Sequence, residues 1–344
     1  MLQILVNQIY HLNHLFRLLQ DAKSAHCQTI FQTWVLRFLM LRTLKRLQKE
    51  RLPVIAAPMF LVSNYNLCKA CCDAGIIGSF PALNAKTELV LDKWMGDMGN
   101  ANYAVNIIVH KSNKRLEGNM EMVVKHKVPI VITSLGLDKA VIKSVQSYGG
   151  KVYHDVANVY HAQKAADAGV DGIIAVCSGA GGHSGSTSAF AMIPAIRKFY
   201  DKTIIAAGAI SDGRGIRASQ VLGADYAYMG TRFITTQESD AEPKYKQMIV
   251  EAKTGPAPFR LPVVLTDKFS GISANFLRKS ILDNKIDLEK LENPKMDFSK
   301  LDAKNSKAWK TIWSAGHGVI NIYDIPTVKQ LVDTLEAEYI ACKQ

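Results

Sequence analysis

From Pro53 onward the chain alternates between two hydrophobic rhythms. Short continuous apolar runs at 54–57, 76–79, 103–109, 130–133, 152–156, 173–176, 204–207 and 226–229 read as strands buried on both faces. Between them the apolar positions recur at helical spacing, as in 139–147, 160–168 and 215–222. Several of these helical stretches close on a glycine: Ala74-Gly75, Gly149-Gly150, Ala168-Gly169 and Leu222-Gly223. A glycine there is the stop signal of a helix whose chain turns back into a strand. Eight such units predict an α/β chain folded as a (β/α)8 TIM barrel. An open doubly wound sheet is the weaker alternative, because eight regular units favour closure.

The rhythm breaks after Thr236. Residues 237–309 are charge-rich and interrupted by Pro243, Pro256, Pro258, Pro262 and Pro294, which predicts a small helical lobe inserted after the last strand, beside the barrel mouth. Residues 326–340 resume helical spacing through Val328, Leu331, Val332 and Leu335, as expected of a last helix on the barrel wall. The barrel is therefore expected to comprise 40–236 and 310–344. Residues 1–39 form a basic and apolar extension that reads as a surface helix, a targeting segment or sequence upstream of a start at Met40.

Charge changes this picture little. The net charge is +12, but residues 1–52 hold eight basic side chains against two acids, and the remaining excess is spread thinly. No basic stripe interleaved with aromatics exists, so a nucleic-acid partner is not expected. No run of 18 apolar residues suits a membrane span. The six cysteines lack a second Cys/His pair at zinc spacing, so Cys68-x-x-Cys71-Cys72 reads as core packing, no metal is expected, and a reducing cytoplasm is the default location.

A barrel carries its active site at the C-terminal ends of its strands. The sixth strand ends in Gly179-Ala180-Gly181-Gly182-His183-Ser184-Gly185, a glycine-rich loop with one histidine. The seventh ends in Ala206-Ala207-Gly208-Ala209-Ile210 and the eighth in Tyr228-Met229-Gly230-Thr231-Arg232. Small residues at three adjacent strand ends leave backbone N–H groups, two of these sets at helix starts, open to a phosphate. The ligand could then be a sugar phosphate, a nucleotide or flavin mononucleotide. Asn106 lies in the third strand, and Asp155, ending the fifth, is a lesser candidate. His110, His126, His154 and His161 read as structural or exposed.

Ala57-Pro58-Met59, Gly179 to Gly185, Ala206 to Ile210, Tyr228 to Phe233 and Ser314-Ala315-Gly316-His317-Gly318 together closely resemble the nitronate monooxygenase family, also called 2-nitropropane dioxygenases. The resemblance runs from about Leu52 to the C-terminus. It implies an FMN-dependent oxidoreductase with a barrel and a small helical domain. It implies further that Asn106 contacts the flavin and that Met59 reaches the ring through its backbone. Gly181, Gly182, Gly208, Ala209, Tyr228, Met229, Gly230 and Thr231 would hold the phosphate and ribityl chain, and His183 would be the catalytic histidine. Three positions depart from the family pattern: Val176-Cys177-Ser178-Gly179 replaces a glutamine-glycine-x-glutamate, Ala209 replaces a glycine, and Tyr228 replaces a glutamine. The chain therefore looks like a divergent subgroup.

The expected reaction is oxidative denitrification of an alkyl nitronate or nitroalkane with O2, giving a carbonyl compound and nitrite, with His183 as base or anion-orienting group. The rivals are NAD(P)H-dependent reduction of quinones or enoyl thioesters on the same scaffold, a non-flavin barrel acting on a phosphorylated metabolite, and a non-catalytic binding module. The oligomeric state stays open, a homodimer included.

Overall fold

The computed structural model describes residues 50–110, 112–252, 261–288 and 307–342. The extension at 1–39 and the start at Met40 lie outside them. All eight expected strands are present: β1 (Val54–Ala56), β2 (Gly78–Pro81), β3 (Tyr103–Ile108), β4 (Ile130–Ser134), β5 (Lys151–Val156), β6 (Gly172–Val176), β8 (Thr203–Ala207) and β9 (Tyr226–Met229). A short strand β7 (Gly182–His183) intervenes, so the seventh and eighth barrel strands are β8 and β9.

The barrel strands pair in parallel in the order β1-β9-β8-β6-β5-β4-β3-β2. Between β1 and β2 the ring closes through a bridge of Ile55 to Ile77, where Ala56 N–H donates to Ile77 O at 2.9 Å and Ile77 N–H to Val54 O at 3.1 Å. Ile55, Ile77, Ile132, Tyr153, Ile174 and Ile205 pack together inside the ring. Their neighbours in sequence, such as Val131, Val152, Ile173 and Ile204, pack outward under the helices. Apolar side chains on both faces are why these strands appear as unbroken runs rather than alternating ones.

Every crossover helix but Leu116–Lys125, which follows Arg115, starts on a side-chain cap. In α1 (Tyr65–Asp73), Asn64 accepts the Leu67 N–H at 2.8 Å, and Asp138 caps α4 (Lys139–Ser147) through Ala140 N–H at 2.7 Å. The intervening helices are α2 (Glu88–Met98) and α3 (Leu116–Lys125), followed after α4 by α5 (Val159–Asp167), α6 (Ala189–Arg197) and α7 (Gly213–Val221). The four glycines expected to end helices, Gly75, Gly149, Gly169 and Gly223, all have positive φ. After β9 come α8 (Thr231–Ile234), α9 (Pro243–Glu251) and α10 (Arg278–Asp283), and the chain ends in α11 (Val328–Ala341). The last helix buries Val328, Leu331, Val332 and Leu335 against Leu67, Cys71, Ile216 and Phe233, as its spacing predicts.

The segment after Thr236 differs in one respect from a purely helical lobe. Alongside α9 and α10 it holds an antiparallel hairpin, β10 (Val263–Thr266) with β11 (Ala274–Leu277). The outer edge of β11 pairs with β7, so Ala274 faces His183 and Asn275 faces Gly182. The lobe is thus joined by backbone hydrogen bonds to the glycine-rich loop of the barrel.

Candidate active site

The loop after β6 is built around close backbone approach. A Cβ on Gly181 would lie 2.8 Å from Gly316 N, and one on Gly316 would lie 2.5 Å from Gly179 O. Only bare backbone lets the segment Ser314 to Gly318 lie this tightly on the loop. Two hydrogen bonds join the segment to the loop, a third ties it to Thr231, and a fourth ties the loop to β11. His317 N–H donates to Gly179 O at 2.9 Å, and Gly316 N–H to Thr231 Oγ1 at 2.9 Å. Gly182 N–H donates to Ser314 Oγ at 2.7 Å, and Asn275 Nδ2 to Ala180 O at 2.8 Å.

Around this contact the structure brings together Gly181, Gly208, Ala209, Gly230 and Thr231 from three neighbouring strand ends. Among the described residues, the backbone N–H groups of Gly181, Gly208, Ala209 and Thr231 donate to no protein acceptor. Gly181 and Ala209 are exposed. Ala209 keeps the left-handed conformation, φ +58°, although it replaces the family's glycine. That conformation costs an alanine roughly 1 kcal/mol. The cradle therefore retains its backbone shape despite the substitution.

Not every expected contact is available. The start of α7 is filled: Asp212 accepts the Gly215 N–H at 2.7 Å and Glu338 accepts the Gly213 N–H at 2.8 Å. Two carboxylates there repel an anion, so the cradle uses the Gly208–Ala209 turn and not the following helix. Gly182 N–H is committed to Ser314. Met59 N–H donates to Ser63 Oγ at 2.9 Å, and its carbonyl accepts from Asn84 Nδ2 at 2.9 Å and from Val62 and Ser63 N–H. What Met59 offers the mouth is its side chain, which lies beside Gly230. The Met229 side chain packs outward under the helices with Phe233 and Leu331.

Across the mouth, side chains replace bare backbone. Asn106 is buried, with Nδ2 donating to Ile132 O at 3.2 Å and Ser134 Oγ at 2.7 Å. Ser134 Oγ in turn donates to Asp155 Oδ2 at 2.5 Å. The other oxygen, Asp155 Oδ1, is buried without a partner, and burial pushes the carboxyl up to about 6. Tyr228 stands nearby; burial and then Asp155 hold its phenol well above the ordinary value.

His183 is pinned by its strand pairing to Ala274. Its ring meets Trp309 edge to face, with centroids 5.6 Å apart and planes at 86°. Nε2 is buried and unpartnered, and burial lowers the imidazole below its ordinary value. The ring is therefore neutral at neutral pH, with a nitrogen lone pair available as a base if Nε2 is the unprotonated one. The four histidines expected to be structural or exposed are so: His154 bonds Thr133, His126 bonds Asp92, His110 bonds Ser112, and His161 is exposed. At the far end of the barrel Glu50 accepts from Asn102 at 2.7 Å and Tyr226 at 3.3 Å, beside a cavity that the same residues line.

Sequence reasoning missed Ser134, Asn84 and Trp309 as parts of this site and quoted Ser314 only within a family motif. Ser134 and Asn84 follow from the ends of the second and fourth strands, read by the rule that found Asn106. Trp309 had no such signal.

These features define a member of the (β/α)8 barrel class with a strand-end site. Residues 79–338 match the model of the nitronate monooxygenase family, and the chain belongs to that family. A protein of Staphylococcus haemolyticus named "Probable nitronate monooxygenase" is 29% identical over 216 residues, covering 59% of this chain and 58% of that protein. One of the same name from Staphylococcus aureus is 31% identical over 176 residues, covering 48% of each. The matches thus span about half the length of these curated relatives. FabK from Thermotoga maritima has the same fold with a TM-score of 0.71 and 27% identity, over 85% of this chain and 94% of that one. Nitroalkane oxidase from Streptomyces ansochromogenes shares the fold at TM-score 0.71 and 23% identity, over 86% and 98%.

Proposed function

We propose that the chain is an FMN-dependent oxidoreductase that oxidises alkyl nitronates or their parent nitroalkanes with O2, yielding a carbonyl compound and nitrite. The observation that carries this reading is His183, its Nε2 buried and unpartnered, two residues from Gly181 in a cradle of uncommitted backbone N–H groups drawn from three strand ends. The residues fit FMN. Gly181, Gly208, Ala209 and Thr231 suit its phosphate, while Asn106 and Tyr228 offer polar groups to a flat ring. Bound FMN supplies a two-electron acceptor.

The chain's own part is positioning and proton handling. His183 takes the proton from the carbon next to the nitro group, or orients the nitronate anion once formed. Trp309 and the β7–β11 pairing limit its motion and keep water from its ring. The free cysteines among the described residues accord with a reducing, cytoplasmic setting. No helix among the described residues is long and apolar enough to cross a membrane.

An absorbance spectrum of the freshly purified protein tests the cofactor, and anaerobic mixing tests the reaction. The expected result is a yellow protein whose flavin bands bleach with an alkyl nitronate and return in air with release of nitrite. Bleaching by NADH or NADPH without nitronate turnover would instead establish reduction of a quinone or enoyl thioester. A colourless protein that takes up no FMN would establish a non-flavin barrel.

A further inference from the structure

The Asn106–Ser134–Asp155 chain crosses three adjacent strands, β3, β4 and β5, and its proton count fixes its direction. An ionised carboxylate only accepts, so the single Ser134 proton goes to Asp155. Ser134 Oγ is then left to accept, and its partner is Asn106 Nδ2. Ile132 O also only accepts, and it takes the second amide hydrogen of Asn106. Both Asn106 donors are therefore used inside the protein. What Asn106 has left for a ligand is Oδ1, an acceptor.

We propose that Asp155 is a positioning residue which, acting through Ser134, holds Asn106 so that it presents a hydrogen-bond acceptor and thereby selects a ring carrying an N–H group. This rests on the FMN reading, since the oxidised isoalloxazine has one such N–H. A nicotinamide or a plain phosphorylated sugar has no ring N–H to match it.

The relay has a second state. Asp155 Oδ1 is buried and unpartnered, so the carboxyl can take up a proton without breaking any existing bond. When the carboxyl turns so that the new proton faces Ser134, Asp155 donates to Ser134 Oγ in place of accepting from it, and the Ser134 proton turns toward Asn106 and competes for the amide orientation. The groups facing Asp155 are Ser134 on β4, Asn106 beyond it on β3, and the Tyr228 phenol from β9. Its neighbour His154 lies on the opposite face of the strand, and no lysine or arginine contributes to the rise of the carboxyl to about 6. The ionised form is the one that locks the relay. FMN affinity is therefore full above that value and is lost as pH falls through it.

The test is reconstitution of the full-length, flavin-stripped protein with FMN, followed by flavin fluorescence from about pH 5 to about pH 8. Wild type, Asp155→Asn and Ser134→Ala are compared. Wild type should lose about tenfold in affinity toward the acid end, the worth of roughly one hydrogen bond. Both variants should bind about tenfold more weakly at neutral pH and show no acid step. Variants with wild-type affinity and a wild-type acid step overturn the positioning role while leaving the FMN reading intact. A wild-type protein that binds no FMN at any pH overturns both. Should Asp155→Asn fail to fold, Ser134→Ala alone decides.

Discussion

Burial lowers three described histidines below the ordinary imidazole value, His154, His183 and His317, and the first two make the sharpest contrast. They differ in what their nitrogens touch. His154 faces outward from β5, on the side of Val152 and Val156, and its Nδ1 pairs with Thr133 Oγ1 at 2.8 Å. His183 stands at the mouth with Nε2 enclosed and unpartnered. The next rung inward repeats the contrast, since Asp155 also leaves one oxygen without a partner. A buried polar atom left unpaired costs about 1–3 kcal/mol, so it persists where something other than stability holds it. Both of these groups are near the mouth, and the paired histidine is beneath the helices; Arg115, Asn119 and Asn275 also leave buried polar atoms unpaired. Among these three titratable groups, partnering marks off the one packed beneath the helices from the two at the mouth.

Exchanging each histidine for alanine is the strongest way to break that division. His183→Ala should lower nitronate turnover by about 10²–10⁴-fold, the usual worth of a positioned acid or base, while FMN binding and melting temperature barely change. His154→Ala should do the reverse. It opens a cavity and strands Thr133, lowering unfolding free energy by about 2 kcal/mol or more with FMN affinity kept. Steady-state kinetics, FMN titration and denaturant unfolding on both variants separate the two outcomes. If His183→Ala turns over normally, the unpartnered nitrogen is not the base.

How far this division could be read from the chain depended on the range of the interactions. All eight strands were legible because each is an apolar run closed on both faces, and α4 was legible through its helical period and its Gly149 stop. Asp155, His183 and the cradle turns were read from strand ends, and Asn106 from its place in the third strand together with the family resemblance. The pairing of β7 with β11 did not, because Gly182-His183 has no strand signature and its partner lies some 90 residues further along the chain. For the same reason Trp309 was invisible: it reaches His183 only through the packing of the lobe, against Phe276. The filled start of α7 also depended on a distant residue, Glu338 of α11. Local pattern revealed the barrel and the strand-end residues of the candidate site, while the lobe's grip on the glycine-rich loop required the fold.

Acid stability sharpens the comparison between His154 and Asp155, adjacent residues on opposite faces of β5. His154 titrates near about 4 in the fold and about 6.5 when unfolded, so it contributes stability that is lost as pH falls across that interval. Asp155 titrates near about 6 in the fold and about 3.9 unfolded, so its contribution is lost as pH rises across almost the same interval. Each is worth about 3 kcal/mol at most, with opposite sign, and together they nearly cancel. Wild type should therefore show little change from these two groups between about pH 4 and 6. Asp155→Asn should gain stability as pH rises through that window, and His154→Leu should lose it. Urea unfolding across the window reads both slopes directly. Parallel slopes in the two variants would show that their titrations do not oppose each other.

The smallest expected effect concerns what keeps His183 below its ordinary value. Trp309 holds a left-handed backbone, φ +68°, unusual for a bulky residue, with its N–H bonded to Ile312 O at 3.1 Å. Its ring lies between His183 and Phe276. Removing that cover in Trp309→Ala admits water and relieves the penalty on the imidazolium, so the His183 pKa rises toward about 6.5. Because the base form is the neutral one, the acid limb of kcat/KM moves to higher pH and the enzyme loses activity sooner on acidification. Trp309→Phe keeps an aromatic cover and should leave the limb near its wild-type position. An acid limb unmoved in Trp309→Ala would mean that the barrel loop alone, without the lobe, sets the basicity of His183.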